Sequence, residues 1–211
     1  MYARILPRVK TFELINRKKL WGEHESVSGV GSTLQATRGV REALPIICKE
    51  LSISTLVDIP CGDFAWMAEF ELPIQIYVGG DIVRELIESN RERLHADSRD
   101  FIVIDIVEDP LPKGDLILVR DCLLNLPNDD VEKCLQNIVS SNIRYLLSTQ
   151  YSCLEHNVPC RVGDWRPINL RRAPFNFPKP ERLMPDVDFP GKPLRKEKQL
   201  ALRDLNKIRG V

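Results

Sequence analysis

Five short apolar runs, separated by helical patterns or turns, decide what this chain is able to fold into. They are "STLVDI" (54–59), "IQIYVGGD" (74–81), "DFIVID" (100–105), "DLILVRD" (115–121) and "IRYLLSTQ" (143–150). None alternates strictly between apolar and polar residues, which is the pattern of strands buried on both faces. Between them, Val83, Leu86, Ile87, Asn90 and Leu94 keep a helical spacing in which only Asn90 is polar. Val131, Cys134, Leu135, Ile138 and Val139 repeat that spacing after "NDD", which predicts an N-cap with acids in the first turn. A further stripe, Val40, Ala43, Leu44, Ile47, Cys48 and Leu51, precedes the first strand, and Pro45 inside it predicts a kink or two short helices. Strands alternating with helices predict an α/β domain on a parallel sheet.

After Gln150 the character changes. Residues 151–193 are rich in Pro, Arg and Asn and predict ordered loops wrapped over the sheet, with a short strand near Glu181–Met184. "QLALRDLNKI" is either a closing strand or a short terminal helix, and periodicity does not decide between them.

In open α/β sheets ligands bind beyond the carboxyl ends of the strands. Asp58, the Pro60-Cys61-Gly62 turn and Asp63 all fall there, after the first strand. Asp81 ends the second strand, about 20 residues past the first turn, the spacing at which a carboxylate accepts from ribose hydroxyls. Asp105 ends the third and is placed to meet an adenine amino group. An adenosine-containing ligand follows. A dinucleotide fold needs G-x-G-x-x-G so that amides approach a pyrophosphate. This turn has one glycine and adds Asp63 where a phosphate would come close. S-adenosyl-L-methionine carries no phosphate; its sulfonium and ammonium are cations that Asp58, Asp63 and Asp121 would favour, with Gly62 letting the ligand pass closely.

Five stretches, in order, carry a family resemblance: "WGEHESVSGVGSTL" (Trp21–Leu34), "DIPCGDFAWM" (Asp58–Met67), "GGDIVRELI" (Gly79–Ile87), "RDCLLNL" (Arg120–Leu126) and "WRPINLRRAPFNFP" (Trp165–Pro178). The chain resembles the class I S-adenosylmethionine-dependent methyltransferases, and within them a bacterial-type branch with a D-x-P-C-G-D-F-x-W-M motif. The resemblance implies a Rossmann-like, seven-stranded, mostly parallel sheet of order 3-2-1-4-5-7-6, with helices on both faces and the last strand antiparallel. It implies an N-terminal arm and lid over residues 1–33 and a methyltransferase domain over 34–211, with 151–193 on the acceptor side. It places Asp58, Pro60, Gly62 and Asp63 by the methionine part of the cofactor, Asp81 and Ile82 by the ribose, and Asp105 and Ile106 by the adenine. Trp21, Ser32 and Arg120 join the expected cofactor contacts. The usual G-x-G turn is Pro60-Cys61-Gly62 here, and Asn125 stands where many relatives carry a His. Asn is no general base at neutral pH.

Methyl transfer is an in-line displacement in which the enzyme mainly aligns the acceptor and excludes water. Asp121 is the first candidate to orient or deprotonate the acceptor; His24 and His156 come after it, and Cys122 has no activating partner in the sequence. In "GVGSTL" (29–34), Ser32 or Thr33 either caps the next helix or helps free amides hold an anionic group. Trp21 either closes over the site or anchors the arm. Phe175 and Phe177 are expected to pack under the sheet edge, and Arg166, Arg171 and Arg172 are surface arginines or an anion site.

With 211 residues the chain forms one domain with appendages. No apolar span of 18 residues and no apolar leader region occurs, so neither a membrane helix nor a signal peptide is expected. Six scattered cysteines without a CxxC pair, and three His, predict reduced thiols in a cytoplasmic protein rather than a metal site. Net charge is zero, but the first 20 residues hold six Lys/Arg against Glu13, and residues 161–211 hold thirteen against six acids. The basic ends suit either a solvated surface that pairs with the acidic middle of the chain or an anionic acceptor, whereas zero net charge and the lack of an aromatic-basic platform argue against nucleic acid. The expected acceptor is a small molecule or glycan, methylated on oxygen or nitrogen. The rivals are an RNA or protein acceptor and a non-catalytic binding module of the same fold.

Overall fold

A computed structural model describes residues 7–22, 25–186 and 197–209. Its frame is a seven-stranded sheet: β1 (Thr55–Asp58), β2 (Ile76–Asp81), β3 (Arg99–Val103), β4 (Leu116–Val119), β5 (Tyr145–Tyr151), β6 (Arg182–Pro185) and β7 (Lys198–Asp204). The order is β3-β2-β1-β4-β5-β7-β6. Pairs β1–β2, β1–β4, β2–β3 and β4–β5 are parallel, and β7 runs antiparallel to both of its neighbours. Each of the five apolar runs lies in a strand, and the predicted short strand is β6.

Side chains alternate across the sheet as the two-residue period of a strand demands. Val57, Ile59, Ile117 and Val119 enter one core with Val131, Cys134, Leu135 and Ile138 of α4 (Asn128–Ser140). Leu56, Leu116 and Leu118 enter the opposite core with Val40, Leu44, Ile47 and Cys48 of α2 (Arg38–Glu50) and Ile87 of α3 (Arg84–Leu94). α1 (Arg8–Lys18) precedes this frame, and α5 (Leu205–Arg209) ends it.

Three local expectations change. Pro45 does not split its helix: α2 runs unbroken from Arg38 to Glu50. Val40 and Leu44 before it and Ile47 and Cys48 after it are all buried in one core, so packing holds both halves together despite the lost hydrogen bond. "NDD" does not cap α4, because the cap position is Pro127 and Asn128 is already helical. The Asn128 side chain accepts instead from Arg166 Nη2 at 2.8 Å, while Asp129 and Asp130 do occupy the first turn. The segment at 199–208 is both of the alternatives, a strand to Asp204 and then a helix from Leu205. Phe175 and Phe177 pack against the core, as expected. Arg203 is buried and holds that segment, donating to Pro178 O at 3.0 Å with its guanidinium over the Phe177 ring at 5.3 Å.

Candidate functional site

The carboxyl ends of β1, β2 and β4, together with the turn beyond β3, open into one cleft, and α1 with the loop after it covers them. The cleft encloses about 1030 Å³, its open mouth included. Asp58, Pro60 and Gly62 follow β1, Asp81 and Ile82 follow β2, Asp105 and Ile106 lie past β3, and Arg120 and Asp121 lie past β4. Trp21 and Ser32 reach in from the N-terminal side, with Arg8, Phe12, Val27 and Ser28. Every residue expected at the site lines this cleft except Asp63.

Asp63 is a correction. Its carboxylate accepts from Ser26 Oγ at 3.0 Å, Val27 N at 2.9 Å and Ala65 N at 3.2 Å. It therefore ties the N-terminal loop to the turn and does not line the cleft. Gly62 is needed for the same junction. Its φ is 57°, and a Cβ there would meet Ser28 Oγ at 2.3 Å, so the close approach that demands glycine is made by the chain itself. Asn90, the one polar residue in its helical stripe, donates to Gly62 O at 2.8 Å and fixes the turn from beneath.

The four cleft carboxylates fall into two kinds. Asp105 is held by Arg8, whose Nη2 lies 2.7 Å from Oδ2, while Arg8 Nη1 lies 2.7 Å from Asp130. Asp105 thus meets a guanidinium before it meets any ligand amino group. Asp121 lies 2.6 Å from Lys198 Nζ and 3.3 Å from Arg120 Nη1. Lys198 and Arg120 also share Asp186, at 3.2 and 2.9 Å, and Lys198 and Asp186 are fully buried. Burial would raise the Asp121 carboxyl, but Lys198 and Arg120 outweigh it and hold it below the usual range. That makes Asp121 a poor proton acceptor, which speaks against the deprotonating role expected of it and leaves the orienting one. Its φ of 54° is the left-handed conformation of a constrained position.

Asp58 and Asp81 are the other kind: buried, with no ion-pair partner among the described residues. Asp58 accepts from Tyr77 Oη at 2.7 Å. Burial pushes its carboxyl up to about 7, against the pull of that bond and of Arg120. Asp81 accepts from Val83 N at 2.9 Å and Gly62 N at 3.2 Å. Burial pushes it up to about 6, the amides opposing. Two buried acids raised this way flank Gly62, and a cation in the cleft would meet both.

The remaining candidates separate clearly. Ser32 lines the cleft within a 3-10 turn, Val30–Ser32, and Thr33 Oγ1 accepts from Ala36 N at 3.2 Å. Trp21 lines the cleft and packs edge-on to Phe12, with ring centroids 5.9 Å apart. His156 is exposed and away from the cleft, and His24 lies outside the described residues. Cys122 lines the cleft, but burial raises its thiol, so it is no nucleophile. Arg166 is buried outside the cleft and donates to Leu126 O at 3.0 Å; Arg171 and Arg172 are exposed. Sequence reasoning missed Arg8, Lys198, Asp186 and Tyr77, which meet their partners only across the folded sheet.

No protein family and no curated protein matches this sequence. Solved structures do match. A Haloferax volcanii complex of a methyltransferase activator with its partner superposes with a TM-score of 0.61 at 15% identity, over 92% of this chain and 97% of the other. The N-methyltransferase NodS of Bradyrhizobium japonicum, solved with S-adenosyl-L-homocysteine, gives 0.52 at 15% identity over 66% and 72%. Human N-acetylserotonin methyltransferase, solved with S-adenosylmethionine, gives 0.54 at 15% identity over 94% of this chain and 60% of its own. The fold is that of the class I methyltransferases. Asp58, Asp81 and Asp105 gather beyond the carboxyl ends of the strands, where open α/β sheets bind ligands.

Proposed function

We propose that this chain is an S-adenosyl-L-methionine-dependent methyltransferase acting on a small molecule or glycan. The observation that carries the reading is the pair Asp58 and Asp81, buried at the ends of β1 and β2 and in no ion pair among the described residues. S-adenosyl-L-methionine would bring a sulfonium and an ammonium to them, together with ribose hydroxyls that donate to a carboxylate. Asp81 would take the hydroxyls, since each of its oxygens accepts one amide and keeps a lone-pair site. Asp58 and the Gly62 turn would face the methionine part. Ile82 and Ile106 would flank the adenine, with Asp105 at its edge. When bound, the cofactor supplies an electrophilic methyl group; the chain binds, orients and excludes water.

The crossover from β1 to β2 favours this ligand over a dinucleotide. It contains only a three-residue 3-10 helix, Met67–Glu69, so no helix N-terminus stands behind the turn to hold a pyrophosphate. α1 would act as the lid, carrying Phe12 over the cleft with Trp21 beside it. All six cysteines are free, which fits a reducing compartment, and we assign the protein to the cytoplasm. No helix among the described residues is long and apolar enough to cross a membrane.

Photocrosslinking tests the assignment. Methyl-labelled S-adenosylmethionine should label the protein under ultraviolet light, and S-adenosylhomocysteine should compete while NAD does not. Equal competition by NAD would reject the assignment.

A further inference from the structure

The wall where an acceptor would enter carries one polar group whose direction is fixed by chemistry. Asn125 lies in the 3-10 turn Leu123–Asn125, just past β4, and lines the cleft beside Asp121 and Cys122. Its side chain donates from Nδ2 to the backbone oxygen of Asp121 at 2.7 Å. A carbonyl only accepts, so the nitrogen must face Asp121, and the orientation of the amide is settled without seeing hydrogens. Oδ1 therefore points the other way. It accepts no hydrogen bond from the described residues, yet it is not among the side-chain atoms sealed without a partner. Asn125 is 9% exposed and lines the cleft.

Among the described residues, the groups around it offer no base suited to a hydroxyl acceptor; His24 lies outside them. Asp121 is neutralised by Lys198 at 2.6 Å, and Asp105 by Arg8 at 2.7 Å. Asp58 and Asp81 belong to the cofactor side. Neither His95 nor His156 lines the cleft. An alcohol must lose its proton as it attacks, whereas an uncharged amine attacks with its own lone pair and needs only an acceptor for its N–H.

We propose that Asn125 Oδ1 selects an uncharged amine as the methyl acceptor, holding its N–H so that the nitrogen lone pair faces the methyl group. This inference rests on the methyltransferase reading and names its substrate class. The amine nitrogen forms a bond to the methyl carbon, the carbon–sulfonium bond breaks, and its electron pair stays on sulfur. The product ammonium then gives its extra proton to solvent. Positive charge grows on nitrogen during attack, so the N–H···Oδ1 bond is stronger in the transition state than in the ground state. Phe12, Trp21 and Leu126 also line the cleft and offer apolar surface to a neutral amine.

The test uses matched probes that are uncharged at neutral pH: aniline, p-toluidine and 2,2,2-trifluoroethylamine against phenol, p-cresol and 2,2,2-trifluoroethanol. Each is titrated calorimetrically into the full-length protein saturated with S-adenosylhomocysteine, and each is assayed for transfer of a labelled methyl group. The expected result is binding and transfer with at least one amine and with none of the alcohols. Asn125→Ala should lower kcat/KM for that amine by about 10- to 100-fold, mostly in kcat, with cofactor affinity unchanged. Asn125→Asp, which keeps an acceptor oxygen, should recover part of that loss. Transfer to an alcohol in preference to its amine, full amine activity in Asn125→Ala, or no amine bound or methylated would overturn the inference. Failure to bind the cofactor would instead reject the methyltransferase reading beneath it.

Discussion

Arg8 reaches across 97 positions of the chain to grip Asp105, with both Nε and Nη2 on the carboxylate and Nη2–Oδ2 at 2.7 Å. The same guanidinium holds Asp130 at 2.7 Å. One side chain thus pins α1 to the β3 side of the cleft and to the first turn of α4. Arg8→Ala removes both bonds and leaves two carboxylates facing each other. Hydrogen–deuterium exchange is expected to rise across residues 8–18 while the strands stay protected, and cofactor dissociation should quicken. Unchanged exchange in α1 would show that Phe12 and its neighbours hold the helix without Arg8.

If Asp58 faces a cationic cofactor as proposed, binding is expected to depend on pH. Its carboxyl is pushed up to about 7 and that of Asp81 to about 6, both by burial. A cationic ligand binds the ionised forms, so affinity for S-adenosylmethionine should fall as pH drops from 8 towards 6, approaching about tenfold per unit per group below each value. Without ligand the sign for stability is opposite. The folded chain holds protons that the unfolded chain has released above pH about 4, so these groups make the free protein less stable as pH rises through 4 to 7. Asp58→Asn should flatten the upper part of both profiles. The measurement is affinity and thermal midpoint across that range, and a flat wild-type affinity would contradict the placement of Asp58.

Lys198 carries a structural consequence. It is fully buried between Asp121 at 2.6 Å and Asp186 at 3.2 Å. Lys198→Ala leaves buried acids short of a cation, a change that typically costs about 3–5 kcal/mol. For a chain of this size that is a drop of about 10 °C in melting temperature. Calorimetric melting checks it. A loss below about 1 kcal/mol would mean that water or Arg120 replaces the ammonium.

Five strands were legible because apolar runs and the spacing between them need only local information, whereas periodicity left the segment that becomes β7 undecided. Asp58 and Asp81 were singled out because strand ends mark the ligand side, and both line the cleft. Asn90 was visible as the polar break in an apolar stripe, but its purpose, holding Gly62 O, needed the turn in place. Asp63 was misread because sequence cannot say that Ser26 and Val27 return to it from the N-terminal loop. Asp121 looked like a free acid for the same reason: Lys198 lies 77 positions away and arrives only when β7 inserts beside β5. Pro45 was expected to break a helix that the sheet beneath it keeps whole. Local rules failed where a long-range partner outweighed them.

Isothermal titration of S-adenosylmethionine into the wild-type protein and into Asp81→Ala tests whether Asp58 and Asp81 frame an S-adenosylmethionine site. Micromolar binding to the wild type is expected, with a loss of about 10- to 100-fold in the variant from removing charge-assisted hydrogen bonds. Circular dichroism should confirm that the variant is folded. No binding to the wild type, or equal affinity in a folded Asp81→Ala, would contradict that assignment.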